Sequence, residues 1–159
     1  MAVTDKDIAD LVARAADANA ALMRGDVEGY FALISLADDF TLMSPFGGPP
    51  SRGFDMSSDR VAALGRFFRA GRTALELVQA YASGDMAVLA VIERQTAEVG
   101  GLPDQDWSLR VTLVFRRDGT EWRLVHRHAD ALVHGISLDQ AAAIARGEAE
   151  LHSRPGGQA

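Results

Sequence analysis

The chain has no cysteine, so disulfide bonds and thiolate chemistry are excluded, and any metal site would need His, Asp or Glu ligands. It also lacks a long apolar run. The longest strictly apolar stretch, residues 86–92, is much too short to cross a bilayer. The first residues have neither the basic nor the apolar region of a signal peptide. We therefore expect a cytoplasmic protein with no membrane partner.

Negative charge exceeds positive charge, with 22 Asp and Glu residues against 16 Lys and Arg. The formal net charge is -6, and the isoelectric point lies near 5.1. A protein that binds a phosphate backbone needs a basic face, so nucleic acid is not an expected partner. With 159 residues, 48% hydrophobic and 24% charged, the composition fits one soluble domain. We expect this domain to span residues 1–147, followed by a flexible C-terminal tail at 148–159 that is polar and contains Pro and Gly.

The spacing of apolar residues in the first half of the chain predicts three helices. Thr4 with Asp7 is typical of a capping box, which would begin the first helix. Gly25 is expected to end that helix, and Asp26 to begin a short second one. A third helix is predicted to begin at Ser57 or at the serine after it.

The second half has the alternation of β-strands. Strand-like runs occupy residues 73–83, 86–99, 107–117 and 121–133, after a shorter one at 40–44. Residues 45–54 are rich in Pro and Gly and are expected to form a loop at the rim of a pocket. Ser137 with Gln140 predicts a last helix. Helices first and long strands afterwards predict an α+β fold.

An Asp-Gly turn signal at 118–119 predicts how the last two long strands pair. If these two residues form the hairpin loop, Phe115 lies opposite Trp122 and Arg110 lies opposite Arg127. The sheet then has one strongly apolar face and one mixed face. The two arginines lie on the mixed face.

Arg94 is expected to join Arg110 and Arg127 when the preceding strand folds back. Neighbouring arginines repel each other, and a buried charge without a partner costs about 3–5 kcal/mol. One hypothesis is that the three arginines bind a carboxylate or similar oxyanion of a small ligand. The alternative is an internal network in which acidic residues neutralise them. The candidates for that network are Glu76, Glu93 and Asp130.

The apolar face of the same two strands predicts a partner. A sheet with apolar residues on both faces must be covered on both, and the helices can cover only one. We therefore predict that a second copy of the chain covers the outer face in a two-fold dimer. The predicted interface consists of Leu109, Val111, Leu113, Phe115, Trp122 and Leu124.

Residues 126–130 have a His-x-His pair followed by Asp130, which places three potential metal ligands on one strand. The other two histidines are poorly placed to complete a site, since His134 lies beyond the strand and His152 in the tail, so buried, hydrogen-bonded histidines are favoured over a metal site. We expect neither a metal nor a cofactor. Metal-assisted chemistry at His126 and His128 is kept as an alternative.

Two segments resemble known proteins. The sequence ADDFTLMSPFGG at 37–48 resembles the first-strand segment of ketosteroid isomerase and SnoaL-like proteins. The motifs RVT, RRDG and WRLVHRH within 110–128 resemble the last hairpin of SnoaL-like domains in the nuclear transport factor two-like superfamily, and that of the calcium/calmodulin-dependent protein kinase II hub domain. The resemblance covers residues 8–133. It implies a cystatin-like α+β roll, a cone-shaped curved antiparallel (mixed) sheet wrapped by three N-terminal helices.

Departures from the family pattern limit what the resemblance implies about chemistry. Ketosteroid isomerisation uses a carboxylate base and two acidic oxyanion-hole donors. Here the base position falls on Ser44, one donor position on Thr112, and the other near Ala18 or Asn19. A serine cannot shuttle a proton near neutral pH without a neighbouring base, so this activity is not carried over. Of the hub domain's ligand-binding arginines, only Arg94 has a match.

The function predicted from these observations is that of a SnoaL-like pocket domain, a dimer that binds a small organic molecule, anionic if the arginines bind it. The predicted ligand-binding residues are Arg94, Arg110, Arg127, Thr112, Asn19, Ser44, Tyr30 and Phe46. The alternative is a cofactor-independent acid–base enzyme of isomerase, cyclase, dehydratase or hydrolase type. Its candidate catalytic residues are Asp130, His128 and Glu93. The sequence leaves open whether any reaction is catalysed.

Overall fold

A computed structural model describes residues 1–148, so most of the predicted tail at 148–159 lies outside the described residues. The helices are α1 (Asp5–Met23), α2 (Val27–Leu33), α3 (Ser58–Phe67) and α4 (Leu138–Ala145). The strands are β1 (Ser35–Met43), β2 (Ser51–Arg52), β3 (Phe68–Ser83), β4 (Met86–Val99), β5 (Gln105–Asp106), β6 (Leu109–Asp118) and β7 (Glu121–Ala131). No helix within residues 1–148 is both long and apolar enough to cross a membrane.

The strands form one curved, unclosed sheet in the order β2-β1-β7-β6-β4-β3, and β5 pairs with β4. All of these pairs are antiparallel except β1 with β7, which is parallel. Helix α1 packs on the sheet, and α1 to α3 precede its long strands. The predicted mixed α+β roll is therefore confirmed.

The helix ends follow from local sequence, as predicted. The Thr4 hydroxyl accepts a hydrogen bond from the Asp7 backbone, and the Asp7 carboxylate accepts one from the Thr4 backbone. Gly25, after α1, has a φ of 83°, which favours glycine. A Cβ there would also lie 2.5 Å from the carbonyl oxygen of Gly65, so α1 and α3 approach closely at this point.

Strand β1 begins earlier than the predicted strand at 40–44. Its register against β7 shifts between Leu36 and Thr41, and residues 37–40 bulge out of the ladder. The bulge leaves Asp38 and Asp39 exposed while Phe40 remains buried. Asp38 and Asp39 therefore lie within strand β1.

The predicted pairing of the last hairpin is wrong. Asp118 pairs with Glu121, so the loop begins at Gly119, whose φ of 64° suits this turn. A second shift between Val114 and Phe115 adds a bulge in β7. Beyond the bulge, Arg110 faces Asp130 rather than Arg127. Since side chains alternate between faces, the shift moves Arg127 to the opposite face of the sheet.

The predicted dimer interface is also wrong, because the helices cover the more apolar face. All six residues assigned to it are buried, and they form one core with Leu11, Ala15 and Ala18 of α1. We name this helix-covered side the inner face. Burying a Leu or Phe side chain there contributes about 1.5–3 kcal/mol, which explains why the helices pack on these residues.

The other side, which we name the outer face, is mixed in character. Its centre carries partly exposed apolar residues at alternating positions of β4 and β6. These are Val88, Ala90, Ile92 and Val114. Helix α4 buries none of its residues, and Leu138 at its start is almost fully exposed.

Candidate functional site

The inner face contains a small group of polar residues within an apolar surface. Asn19, Glu93 and Gln95 are the buried polar or charged residues among those described. Two of them, Glu93 and Gln95, are successive inward positions of β4. Buried polar groups need partners, so the contacts of these residues define the candidate site.

Glu93 is held by Arg127. Arg127 reaches from β7 across β6 and donates to both Glu93 carboxylate oxygens, at 2.8 and 2.7 Å. The Glu93 side chain is 2% exposed and the Arg127 side chain 19% exposed. Burial opposes the charged form of Arg127, but the Glu93 carboxylate more than offsets this and raises the guanidinium pKa above its ordinary value. The pair is therefore a neutral, two-pronged unit inside the fold.

Tyr30 of α2 lies beside this pair. Burial raises the pKa of the Tyr30 phenol; the Arg127 charge opposes that shift and the Glu93 charge adds to it. The hydroxyl makes no hydrogen bond to any residue in 1–148, and Tyr30 packs against the core. We name Tyr30, Glu93 and Arg127 the interior cluster.

A second polar group continues along β4. The Asn19 amide donates to the Gln95 side-chain oxygen at 2.8 Å, and the Gln95 amide donates to the Trp107 carbonyl oxygen at 3.1 Å. The Gln95 backbone donates to the Ser108 hydroxyl at 3.1 Å. Asn19 therefore has a structural partner. Gln95 ties α1 to the segment that precedes β6.

Phe46, in the loop after β1, packs against Phe67 at the end of α3 and against Trp107 just before β6. We name these three residues the aromatic mouth. The Phe46 ring centre lies 5.8 Å from that of Phe67 and 6.2 Å from that of Trp107, edge to face in both cases. Ser44 begins the loop, and its hydroxyl accepts a hydrogen bond from the Phe46 backbone. Two predicted binding residues, Ser44 and Phe46, thus belong to one loop.

The predicted cluster of three arginines does not form. Arg94 pairs with Glu76 at 2.8 Å, and Arg110 pairs with Asp130 at 2.7 Å, both on the exposed outer face. Only Arg127 lies on the inner face. The alternative explanation, neutralisation by the chain's own acidic residues, is the one the structure shows. The changed hairpin register is the physical reason.

Other predicted residues also lie on the outer face. Thr112 pairs with His128 across the β6–β7 ladder, and both are exposed. The His126 ring nitrogen Nδ1 and the Thr41 hydroxyl are 2.8 Å apart, in a hydrogen bond whose direction depends on the tautomer. Residues 1–148 contain no group of three or more potential ligands that could hold a metal. Because Asp130 and His128 lie on the outer face and Glu93 lies on the inner face, the sheet separates the candidate catalytic residues from one another.

Two surface cavities lie away from the predicted residues. One of about 450 Å³ is lined by charged residues beside the β1 bulge, among them Asp39, Arg116 and Arg123. The other, about 350 Å³, is mainly apolar and lies between α2, β1 and the segment after β2. Phe31 and Phe54 form one of its walls, with ring centres 5.3 Å apart.

Sequence reasoning missed Gln95 and Trp107. Gln95 is a polar residue at an inward position of an apolar strand, and this signal could have identified it. Trp107 had no such signal, because its position depends on contacts with α1 and with the loop after β1.

Comparisons with known proteins agree with the fold. The family model for the SnoaL-like domain matches residues 11–134. A search of curated protein sequences finds no match. Similar solved structures include a Streptomyces avermitilis protein of the NTF2-like (nuclear transport factor two-like) family, which is named as a proposed dehydratase. The match has a TM-score of 0.64 and 22% identity, and it covers 82% of this chain and 99% of that one.

Two further structures are similar. An NTF2-like protein of unknown function in nutrient uptake from Rhodospirillum rubrum has a TM-score of 0.60 and 25% identity, covering 80% of this chain and 99% of its own. The CaMKII hub homology domain of Chlamydomonas reinhardtii has a TM-score of 0.60 and 19% identity, covering 79% of this chain and 98% of its own. The family match covers well over half of the residues, and the chain belongs to the SnoaL-like family of the nuclear transport factor two-like superfamily.

Proposed function

We propose that this SnoaL-like domain binds a small organic molecule on the inner face of its sheet, beside the interior cluster. One observation carries the proposal: the Tyr30 hydroxyl, which makes no hydrogen bond within residues 1–148, lies near enough to the buried Glu93–Arg127 pair for both charges to act on the pKa of its phenol. Ligand sites are mostly apolar with a few convergent polar groups. The inner face has this composition.

The charges of the cluster favour a neutral ligand. The Glu93 carboxylate already binds Arg127 through two hydrogen bonds, so the guanidinium has no unneutralised charge to offer an anion. A ligand carboxylate would add a second negative charge next to Glu93. An uncharged ligand with an oxygen acceptor avoids that repulsion and accepts a hydrogen bond from the Tyr30 hydroxyl.

The test is a thermal-shift screen of matched pairs of small carboxylic acids and their neutral amides. We expect amides to raise the melting temperature more than the corresponding acids. Tyr30→Phe removes only the hydroxyl, and it should weaken binding of the best amide about 5- to 10-fold, the value of one hydrogen bond. Tyr81→Phe is the matched control, because Tyr81 is exposed on the outer-face side of β3. The proposal would be overturned if Tyr30→Phe and Tyr81→Phe bound the best amide with equal affinity, or if the acids bound more tightly than their amides.

Acid–base catalysis at the same cluster is the second candidate function. It is favoured by the juxtaposition of a carboxylate, Glu93, and a phenol, Tyr30, on an inner face that is otherwise largely apolar. The name of the Streptomyces relative directs the first assays to dehydration. Any compound that binds should be followed by NMR for turnover. Glu93→Gln should abolish turnover, whereas His128→Gln on the outer face should leave it unchanged.

The domain is also proposed to pair with a second copy through its outer face. The outer face still has apolar residues for a partner to cover. They are the partly exposed Val88, Ala90, Ile92 and Val114. The Arg94–Glu76 and Arg110–Asp130 pairs lie at the same side of the sheet and would form a polar rim.

A further inference from the structure

The indole nitrogen of Trp107 is a buried donor without an acceptor. Its Nε1 atom is inaccessible and makes no hydrogen bond within residues 1–148. An indole N–H can only donate, and a buried donor left unpaired costs about 1–3 kcal/mol. Most buried side-chain donors in native proteins have a partner. This donor is therefore a candidate contact for a ligand.

The backbone that carries the indole is anchored by hydrogen bonds. The Trp107 backbone nitrogen donates to the Gln95 carbonyl oxygen at 2.9 Å, and the Trp107 carbonyl oxygen accepts from the Gln95 amide. Gln95 is in turn held by Asn19. A donor anchored in this way is pre-organised, so an acceptor that reaches it loses little free energy in ordering the site.

Phe46 is the part of the aromatic mouth that can move. The residue is 56% exposed although its ring lies against Phe67 and Trp107. The two residues after it, Gly47 and Gly48, have φ values of 78° and 83°, and nothing lies within 4 Å of a Cβ built on either. A displacement of Phe46 therefore breaks two ring contacts and one local hydrogen bond to Ser44.

We propose that the aromatic mouth is a binding subsite for a neutral aryl carbonyl compound, whose ring packs against Phe46 and Phe67 and whose oxygen accepts a hydrogen bond from Trp107 Nε1. Aromatic rings prefer the edge-to-face and offset arrangements that the mouth already uses. A neutral carbonyl suits a single uncharged donor. A carboxylate there would lose its hydration for one hydrogen bond. The subsite goes beyond the proposed function, since it requires neither Tyr30 nor the Glu93–Arg127 pair.

The experiment observes the indole N–H directly by ¹⁵N–¹H NMR. The chain has two tryptophans, so the spectrum has two indole peaks, and Trp107→Phe assigns them. Acetophenone is the probe, ethylbenzene the matched compound without an acceptor, and benzoate the charged one. We expect acetophenone to move the Trp107 peak downfield in a saturable manner while the Trp122 peak stays in place. Ethylbenzene and benzoate should produce a smaller shift at the same concentration.

Variants separate the hydrogen bond from the ring contacts. Trp107→Phe removes the donor together with part of the indole ring, so it should weaken both probes through lost ring contact and weaken acetophenone about 5- to 10-fold more than ethylbenzene, the additional loss being that of the hydrogen bond. Phe46→Ala should weaken both probes, whereas Phe54→Ala, at the separate apolar cavity, should affect neither. Tyr30→Phe should leave the acetophenone shift intact, which distinguishes this subsite from the interior cluster.

The opposite outcomes overturn the proposal. One is an indole peak that no probe moves, as expected if bound water satisfies the donor. Another is an equal shift with ethylbenzene, which would show ring packing without a hydrogen bond. A third is unchanged acetophenone affinity in Trp107→Phe.

Discussion

At the residue scale, the ion-pair partner of the buried Glu93 carboxylate within residues 1–148 is Arg127. Removing the arginine leaves a carboxylate that is 2% exposed without a counter-charge. Breaking a buried pair costs about 3–5 kcal/mol, whereas replacing both partners by apolar residues is often neutral. We expect Arg127→Met to lower the free energy of unfolding in urea by about 3–5 kcal/mol. The double variant Glu93→Leu/Arg127→Met should recover most of that loss.

Arg110→Met is the matched control for this prediction. Arg110 pairs with Asp130 in the same strand pair, but its side chain is 65% exposed. Water screens such a pair, so its loss should leave the urea midpoint close to that of the unmodified chain. Similar losses for Arg127→Met and Arg110→Met would show that the inner pair is not the buried unit described above.

Tyr30 makes the stability of the folded protein depend on pH in the alkaline range. Burial raises the pKa of its phenol in the folded state, so above pH about 10 the unfolded chain releases this proton first. The contribution of Tyr30 to stability is therefore complete below pH about 10 and decreases as the pH rises through the folded pKa. We expect the stability difference between the unmodified chain and Tyr30→Phe to be constant below that pH and to shrink above it.

Absorbance of the tyrosinate ion checks the same prediction. In Tyr81→Phe, Tyr30 is the only tyrosine, so the titration reports it alone. The folded protein should titrate above the usual value of about 10, and the urea-unfolded protein at that value. A folded midpoint at or below the unfolded one would show that the hydroxyl faces water.

At the scale of elements, α1 crosses the sheet where β3 has no side chain. Gly71 lies at the β3 bulge, and a Cβ there would be 2.3 Å from the Met23 Cβ and 2.5 Å from the Met23 carbonyl oxygen. The end of α1 cannot move away without breaking its close approach to α3. We expect Gly71→Ala to lower the free energy of unfolding by about 1–3 kcal/mol, the usual cost of overpacking, or more.

Gly135→Ala tests whether the effect of Gly71→Ala is steric. Neither glycine has a positive φ, and nothing lies within 4 Å of a Cβ built on Gly135. Gly135→Ala should therefore leave thermal unfolding almost unchanged. If the two substitutions lower the melting temperature equally, the loss of glycine itself, rather than the contact with Met23, would be the cause.

The helices and strands also show which structural features can be predicted from the sequence. Helix starts at Thr4, Asp26 and Ser137 depend on hydrogen bonds within three residues, and all three were predicted correctly. The predicted strand-like runs at 73–83 and 86–99 meet at the expected place too, since Ser83 pairs with Met86 across the Gly84-Asp85 turn. Local chemistry decides these features, so the sequence is sufficient for them.

The register between β6 and β7 could not be predicted from local sequence. Both Asp118-Gly119 and Gly119-Thr120 are acceptable loops, and the two choices differ by two register positions, which leaves each side chain on the same face. The one-residue bulge between Val114 and Phe115 is what places Arg127 on the inner face. That bulge adjoins the shifted register of β1, its neighbour in the sheet. The interior cluster could therefore be predicted as residues, since Glu93, Arg127 and Tyr30 were all named, but their arrangement depends on contacts between remote strands.

At the scale of the whole molecule, the outer face has an apolar centre with charged residues beside it. Ile92 pairs with Arg110 on one side and with Glu76 on the other, so an apolar residue lies between two charged ones near the middle of the sheet. A stable interface buries about 800 Å² from each partner, an area that a face of several long strands can supply. A two-fold axis would place the same apolar centre on both copies.

We expect the chain to sediment as a dimer at micromolar concentration in analytical ultracentrifugation, and Ile92→Lys to sediment as a monomer that keeps its circular dichroism spectrum. A lysine at the centre of a packed interface would bury an unpaired charge, whereas on an open face it would be solvated and harmless. Met56→Lys is the matched control, because Met56 is an exposed apolar residue in the segment before α3, at the cavity beside α2. A monomeric parent chain would rule out pairing through this face, and a dimer that survives Ile92→Lys but not Met56→Lys would place the interface at the α2 side instead.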